Sequence, residues 1–240
     1  MQSNQIKPIE RPQSLCESAT QNIRNAIIQG YYQLGQPLSE AMLVKTLGIS
    51  KTPIREALSI LKVEGLVSVI PQKGTFVFTL SAKRVAQLGQ YRYSLESTAI
   101  DMAMTTNSET LVSKLFEICE SMQLARQKED ITTYLQLDTD FHQAFFDHCG
   151  NTYLQDGYQF INGKIAALRT HLSTHPTHTE KSFKEHLEIT NLLAKGNVKA
   201  ANTILNKHTT RGERSYSESI KDIAVSDQQT KLGRTIKRGQ

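Results

Sequence analysis

Between residues 14 and 64 the apolar positions recur at helical spacing in three short blocks, each opened by a polar residue and closed by a glycine. Leu15, Ala19, Ile23, Ala26 and Ile27 share one helix face. Ser14 and Glu17 fit a capping box, in which hydroxyl and carboxylate satisfy free amide donors at the helix start, and Gly30 tolerates the positive φ of an exit. Ser39 caps a second short helix carrying Leu43, Val44 and Leu47 and ending at Gly48. Ser50 starts a third, from Lys51 to about Glu64, with Gly65 behind it. Two short helices joined by a tight glycine turn make a helix-turn-helix.

Past Gly65 the period changes from helical to alternating. Leu66–Ile70 and Thr75–Thr79 are rich in β-formers and flank Pro71-Gln72-Lys73-Gly74, so a two-stranded hairpin is expected as a wing beside the helices. From Ser81 onward strand signals stop. Six helices are expected at about 82–106, 108–128, 130–149, 152–173, 178–195 and 197–220. The fold class is therefore mainly α: an N-terminal winged helix-turn-helix over 10–80, a C-terminal all-α helical bundle over 82–220, and a basic tail over 221–240.

Composition sharpens this picture. A chain of 240 residues with 38% hydrophobic and 21% charged positions is long enough for two folded domains and is neither fibrous nor disordered. Three scattered cysteines, Cys16, Cys119 and Cys149, with no CxxC pair, point away from disulfides and thiolate zinc sites and toward a reducing cytoplasm. No signal-length or membrane-length apolar run occurs, so a cytoplasmic protein without a membrane partner is expected. The net charge of +5 is uneven. Residues 1–80 hold eight Lys and Arg against five Asp and Glu, and residues 81–210 hold thirteen against fourteen. The basic excess of the first third is compatible with a polyanionic partner but does not decide one.

The third helix carries the chemistry of a major-groove reader. Ser50, Lys51 and Thr52 offer donors at a positive helix end, where phosphates dock. Arg55 lies one turn on and can be bidentate to guanine, while Ile54, Ala57, Leu58 and Leu61 anchor the opposite face. Pro53 gives up an amide that an early helix position leaves unpaired anyway. In the wing, Lys73 and Gly74 allow close approach to phosphates or the minor groove. The alternative is that Ser50 is only a cap and Arg55 a surface charge paired with Glu56 or Ser59.

Taken together, Gly35-Gln36-Pro37-Leu38-Ser39-Glu40, Ser50-Lys51-Thr52-Pro53-Ile54-Arg55-Glu56-Ala57-Leu58, Glu64-Gly65-Leu66 and Lys73-Gly74-Thr75 resemble the winged helix of the GntR family of bacterial transcription factors over about 20–78. The resemblance implies that Ser50, Lys51, Thr52, Arg55, Lys73 and Gly74 touch a double-stranded DNA operator. Two departures matter: Lys51 stands where the family usually has Arg, replacing a fork with a point charge, and Ala41 stands where some members carry an Arg.

All seven histidines lie beyond residue 80. Asp138 and His142 are four apart, hence on one helix face, and His186 and His208 fall on the last two helices. If these helices surround one interior, a carboxylate and three imidazoles form a ligand set suited to zinc first, with manganese, nickel or iron as alternatives. On spacing alone, isolated helix histidines are more often surface or hydrogen-bonded residues than ligands. His148, His171, His175 and His178 read as background, the last three in a polar loop.

Arg92-Tyr93-Ser94-Leu95-Glu96, Asp138-Thr139-Asp140-Phe141-His142, Gly150-Asn151, Glu185-His186 and Lys207-His208 occur in the order seen in the FCD effector domain of FadR-type GntR regulators, over about 82–215. That resemblance implies a divalent metal at Asp138, His142, His186 and His208 and a small organic-acid effector. Arg92 is the candidate clamp for its far end, with ion pairing to Glu96 as the alternative, and Asn151 and Arg169 are further effector-binding candidates. The whole reads as a ligand-responsive homodimeric regulator, in the first instance a repressor, and not an enzyme. The rivals are a metal-free regulator sensing an acyl ligand, a metal-dependent hydrolase, for which no HExxH or other general base is in evidence, and a purely architectural DNA binder.

Overall fold

The computed structural model describes residues 14–173, 176–211 and 216. The expected basic tail over 221–240, residues 10–13 and His175 lie outside the described residues. The chain divides into two compact units, with the boundary between Phe78 and Thr79.

In the first unit α1 (Leu15–Ile28), α2 (Glu40–Leu47) and α3 (Lys51–Val63) are followed by β1 (Val67–Ile70) and β2 (Gly74–Val77). The capping box of α1 forms as the sequence suggests: Ser14 Oγ accepts from the Glu17 amide and the Glu17 carboxylate accepts from the Ser14 amide. α2 stops at Gly48, which adopts the left-handed φ of 67°. Ile23, Ile27, Leu43, Ile54, Ala57 and Leu61 bury together, so α1 packs on the inner face of α3. Arg24 of α1 adds a forked ion pair to Glu64 at the end of α3, at 2.9 and 2.5 Å. β1 and β2 pair antiparallel, with Val67 opposite Val77 and Ile70 opposite Gly74. The segment before α2 joins this hairpin, since the Leu38 amide donates to the Thr75 carbonyl at 2.8 Å and Pro37 bridges Phe76. The wing is thus tied to the helices by backbone bonds as well as by buried Leu66, Val77 and Phe78.

The second unit is a bundle of α4 (Ala82–Thr106), α5 (Ser108–Gln127), α6 (Ile131–His148), α7 (Thr152–Leu172), α8 (Pro176–Ala194) and α9 (Val198–Thr210). Its core is aromatic and aliphatic, with Tyr134, Phe141, Phe145, Phe146 and Tyr158 at most 1% exposed and Phe146 stacked on Tyr158 at 4.2 Å. α4, α5, α7, α8 and α9 all draw on this core around α6. Two boundaries differ from the sequence reading. α8 begins at Pro176 and not at 178, a first-turn position where proline's fixed φ suits a helix, and His171 and His178 are helical, as the expected ranges 152–173 and 178–195 place them and against the polar loop also read there. α9 ends at Thr210 among the described residues, with Tyr216 again helical.

Gly89 permits a close helix contact. A Cβ placed on it would lie 2.6 Å from the Thr209 carbonyl oxygen, so only glycine lets α9 settle this closely on α4. No described helix is long and apolar enough to cross a membrane.

Candidate functional site

The exposed face of α3 collects the residues expected to meet DNA. Ser50 is the N-cap, yet its side chain makes no capping bond. Ser50, Lys51, Thr52 and Arg55 are all exposed, opposite the buried Ile54, Ala57, Leu58 and Leu61. The Arg55 side chain is 64% exposed, and its Nε donates to Glu40 of α2 at 2.8 Å. The partner is therefore neither Glu56 nor Ser59. Ser59 instead donates its hydroxyl to the Arg55 carbonyl, as mid-helix serines commonly do. At the wing, Lys73 and Gly74 are exposed, with Gln72 and Gly74 at φ of 62° and 106°.

The second site lies inside the bundle. His142 of α6, His186 of α8 and His208 of α9 bring one ring nitrogen each to within 4.8 Å of the others. The Nε2 atoms of His142 and His186 are 3.2 Å apart, as are those of His142 and His208. Asp138, one turn before His142, holds its carboxylate oxygens 3.9 Å from the Nε2 atoms of His142 and His186. Phe141 stacks on the His186 ring at 4.2 Å and Phe145 meets His142 edge-on, which fixes both rings.

Behind the imidazoles stands a layer of carboxylates. Glu96 of α4 lies 3.0 Å from His142 Nδ1 and Glu185 of α8 lies 2.9 Å from His208 Nδ1. A carboxylate only accepts, so each Nδ1 carries the proton and each Nε2 is left with a bare lone pair facing its neighbour. Two such lone pairs at 3.2 Å repel unless a cation lies between them. His186 Nδ1, itself buried, has no hydrogen-bond partner. The donor set, its orientation and the unrelieved repulsion all fit a divalent ion.

Three arginines complete the layer. Arg92 donates Nε to Glu96 at 2.6 Å, Arg169 pairs through Nε with Asp138 at 2.5 Å and donates Nη1 to Thr139, and Arg211 pairs with Glu185. Arg92 makes the ion pair with Glu96 and also lines a cavity of about 70 Å3. Arg169, Arg211, His178, Ser182 and His208 share that cavity with an apolar wall of Val85, Leu88, Ile165, Leu168 and Leu172.

Burial dominates the electrostatics. It drives His142 and His208 well below the usual imidazole range, helped by Arg92 on the first and by the other two histidines on the second. His186 is lowered to about 4 by burial, against the opposing pull of Asp138. All three rings are therefore neutral, the form that ligates metal. Burial also raises the Glu96 carboxyl against the pull of Arg92. For Asp138 burial pushes up, but Arg169 and the neighbouring histidines outweigh it and hold the carboxyl below its ordinary value.

Asn151 stands apart. It is the N-cap of α7, its Oδ1 accepting from the Leu154 amide at 3.2 Å, and it does not line the cavity. Sequence reasoning passed over Arg211 and Ser182, read His178 as background, and gave Glu185 no role beyond its motif and Glu96 none beyond Arg92.

The gntR pattern for bacterial regulatory proteins matches residues 15–77, and the FCD domain pattern matches residues 87–211. The chain belongs to the GntR family and carries an FCD domain. Among relatives of this GntR protein, the uncharacterized HTH-type transcriptional regulator YdhC of Bacillus subtilis (strain 168) is 26% identical over 170 residues, 70% of this chain and 75% of the relative. The HTH-type transcriptional repressor RspR of Escherichia coli (strain K12) is 24% identical over 173 residues, 72% of this chain and 76% of its own. A GntR-type transcriptional regulator from Rhodococcus sp. RHA1 shares the fold, with a TM-score of 0.74 at 23% identity over 84% of this chain and 97% of that one. The relatives are named as regulators, not as enzymes.

Proposed function

We propose that this GntR-family chain is a DNA-binding transcriptional repressor whose FCD domain senses a small carboxylate-bearing effector at a divalent metal ion. His142, His186 and His208, with Asp138 beside them, would hold the ion, zinc being the best match to the nitrogen-rich set. A bound ion would supply a Lewis-acid anchor for an acidic ligand. Arg92 and Arg169 would clamp that ligand through charge-assisted hydrogen bonds, while the apolar wall excludes water and strengthens both.

The observation that carries this reading is the convergence of three buried imidazoles, two of them oriented by carboxylates on Nδ1, beside a cavity edged by arginines. A cavity of about 70 Å3 suits a short organic acid and not a long acyl chain. Repression is supported by the name of RspR and by that of the gluconate operon transcriptional repressor of Bacillus subtilis (strain 168), 29% identical over 55% of this chain. On the DNA side, Ser50, Lys51, Thr52 and Arg55 would enter the major groove, with Lys73 and Gly74 on the adjoining backbone. A homodimer would place two such helices on a palindromic operator.

The test has two arms. Elemental analysis and zinc titration of chelator-stripped full-length protein should give one ion per chain, with binding abolished in His142→Ala. Selection from random duplex DNA should yield a palindromic site, which a panel of short organic acids is then screened to release. A protein that takes up no divalent ion loses the metal reading, and one that selects no sequence loses the DNA reading.

A further inference from the structure

The cavity beside His208 is edged by three arginines whose bonding is incomplete. Arg92 and Arg169 each spend their Nε on a buried carboxylate, Glu96 and Asp138, and each leaves a buried Nη2 with no partner. Arg211 spends one Nη on Glu185 and leaves a buried Nε with no partner. Buried guanidinium N–H groups without acceptors cost free energy, and all three arginines line the same cavity. Their unmade bonds call for acceptor oxygens supplied from outside the chain.

The charge balance sets how many. Arg92, Arg169 and Arg211 are matched one for one by Glu96, Asp138 and Glu185, and an imidazole that ligates a metal carries no charge of its own. A divalent ion at the histidines therefore leaves the site with two uncompensated positive charges. A monoanion removes one of them. A dianion removes both.

We infer that the effector is a short-chain dianion, one acidic group meeting the ion and the free Nη2 groups of Arg92 and Arg169 and the other meeting the free Nε of Arg211, its short apolar middle against Leu88, Ile165 and Leu168. This rests on the metal-and-effector reading above and narrows it. Arg211 becomes the residue that distinguishes a dicarboxylate from a monocarboxylate of equal length.

The test uses full-length protein loaded with zinc and titrated calorimetrically with matched acids: malonate against propionate, succinate against butyrate, glutarate against valerate. At least one dicarboxylate should bind at least about tenfold more tightly than its monocarboxylate partner. Measured at saturating zinc, so that any loss of zinc affinity through Glu185 bears equally on both members of a pair, Arg211→Gln should reduce that ratio to within about twofold by weakening the dicarboxylate. Equal binding of both members of every pair overturns the dianion inference and leaves the effector site standing. A preference that survives Arg211→Gln overturns the assignment of Arg211. Binding of none of the six acids by zinc-loaded protein overturns the small-acid effector site itself, and this inference with it.

Discussion

His142 and His208, 66 residues apart in the chain, meet Nε2 to Nε2 at 3.2 Å with a carboxylate behind each ring. That arrangement strains the metal-free protein, so an ion should stabilise it. Zinc at a hundredfold excess over its dissociation constant adds about 2.7 kcal/mol through binding to the folded state alone. For a chain of this size that corresponds to roughly 5–10 °C. Thermal scans of stripped and zinc-reloaded protein check this, and an identical melting temperature in both states would count decisively against the site.

The carboxylates behind the rings should matter almost as much as the rings. Glu96→Gln and Glu185→Gln keep side-chain volume but weaken the orientation and basicity of His142 and His208. Each should lower zinc affinity by roughly 10–100-fold. Competition with a chromophoric chelator measures this, and unchanged affinity in both variants would show that the carboxylates do not tune the imidazoles.

Acid should destabilise the metal-free protein earlier than carboxylate chemistry alone predicts. His186 titrates near 4 when folded and near the ordinary 6.5 when unfolded. Between those values the unfolded chain binds the extra proton, so its stabilising contribution, complete above pH 6.5, is lost as pH falls toward 4. For His186 alone this is on the order of 3 kcal/mol, and His142 and His208 shift in the same direction. Urea denaturation from pH 7 to pH 4.5 should show falling stability in the native chain and a flatter profile in His186→Gln.

Gly89 should be irreplaceable for a reason remote from its own chemistry. Alanine there drives a methyl group toward the Thr209 carbonyl and the Thr210 Cα, and α9 carries His208 with it. Gly89→Ala should cost about 1–3 kcal/mol and weaken zinc binding as His208 withdraws. Gly157→Ala is the control. Its new methyl meets Tyr91 and Leu95 at ordinary contact distances of 3.6 Å and beyond, so stability should hold or rise by up to about 1 kcal/mol with zinc affinity unchanged.

On DNA, Arg55→Ala should cost roughly 1–3 kcal/mol and relax selectivity at one base pair, whereas Lys73→Ala should weaken all sequences alike and lower the salt slope by about one. Salt-dependent gel shifts on the selected duplex and on scrambled controls separate the two. An Arg55→Ala loss that is the same on both duplexes would remove its base-reading role.

Much of this was legible before coordinates. Polar caps and glycine stops located the helices because those signals are local: Ser14 with Glu17, Ser39, Gly48 and Gly65 each act within one turn. The four proposed ligands emerged from helical spacing and from the resemblance of motif order. What escaped was tertiary. Glu96 meets His142 across 46 residues and Glu40 meets Arg55 across 15, and no periodicity encodes such pairs. Glu185 precedes His186, so a helix step of about 100° turns it away from its neighbour. It reads as solvent-facing until α9 is placed beside it. The stretch from His171 to His178 looked like a loop because polar and β-branched residues dominate it, while packing of Leu172 and the proline start of α8 keep its ends helical.

The bond between Arg55 and Glu40 gives the free protein an internal stand-in for nucleic acid. If Arg55 meets DNA, a guanidinium already facing a carboxylate would gain little by trading it for any phosphate, so random stretches of duplex should hold the chain only loosely. A guanine edge offers two acceptors in the plane of the fork, a better match than the single contact given up. Replacing Glu40 with an uncharged residue should therefore make the molecule bind everywhere more tightly and choose less well.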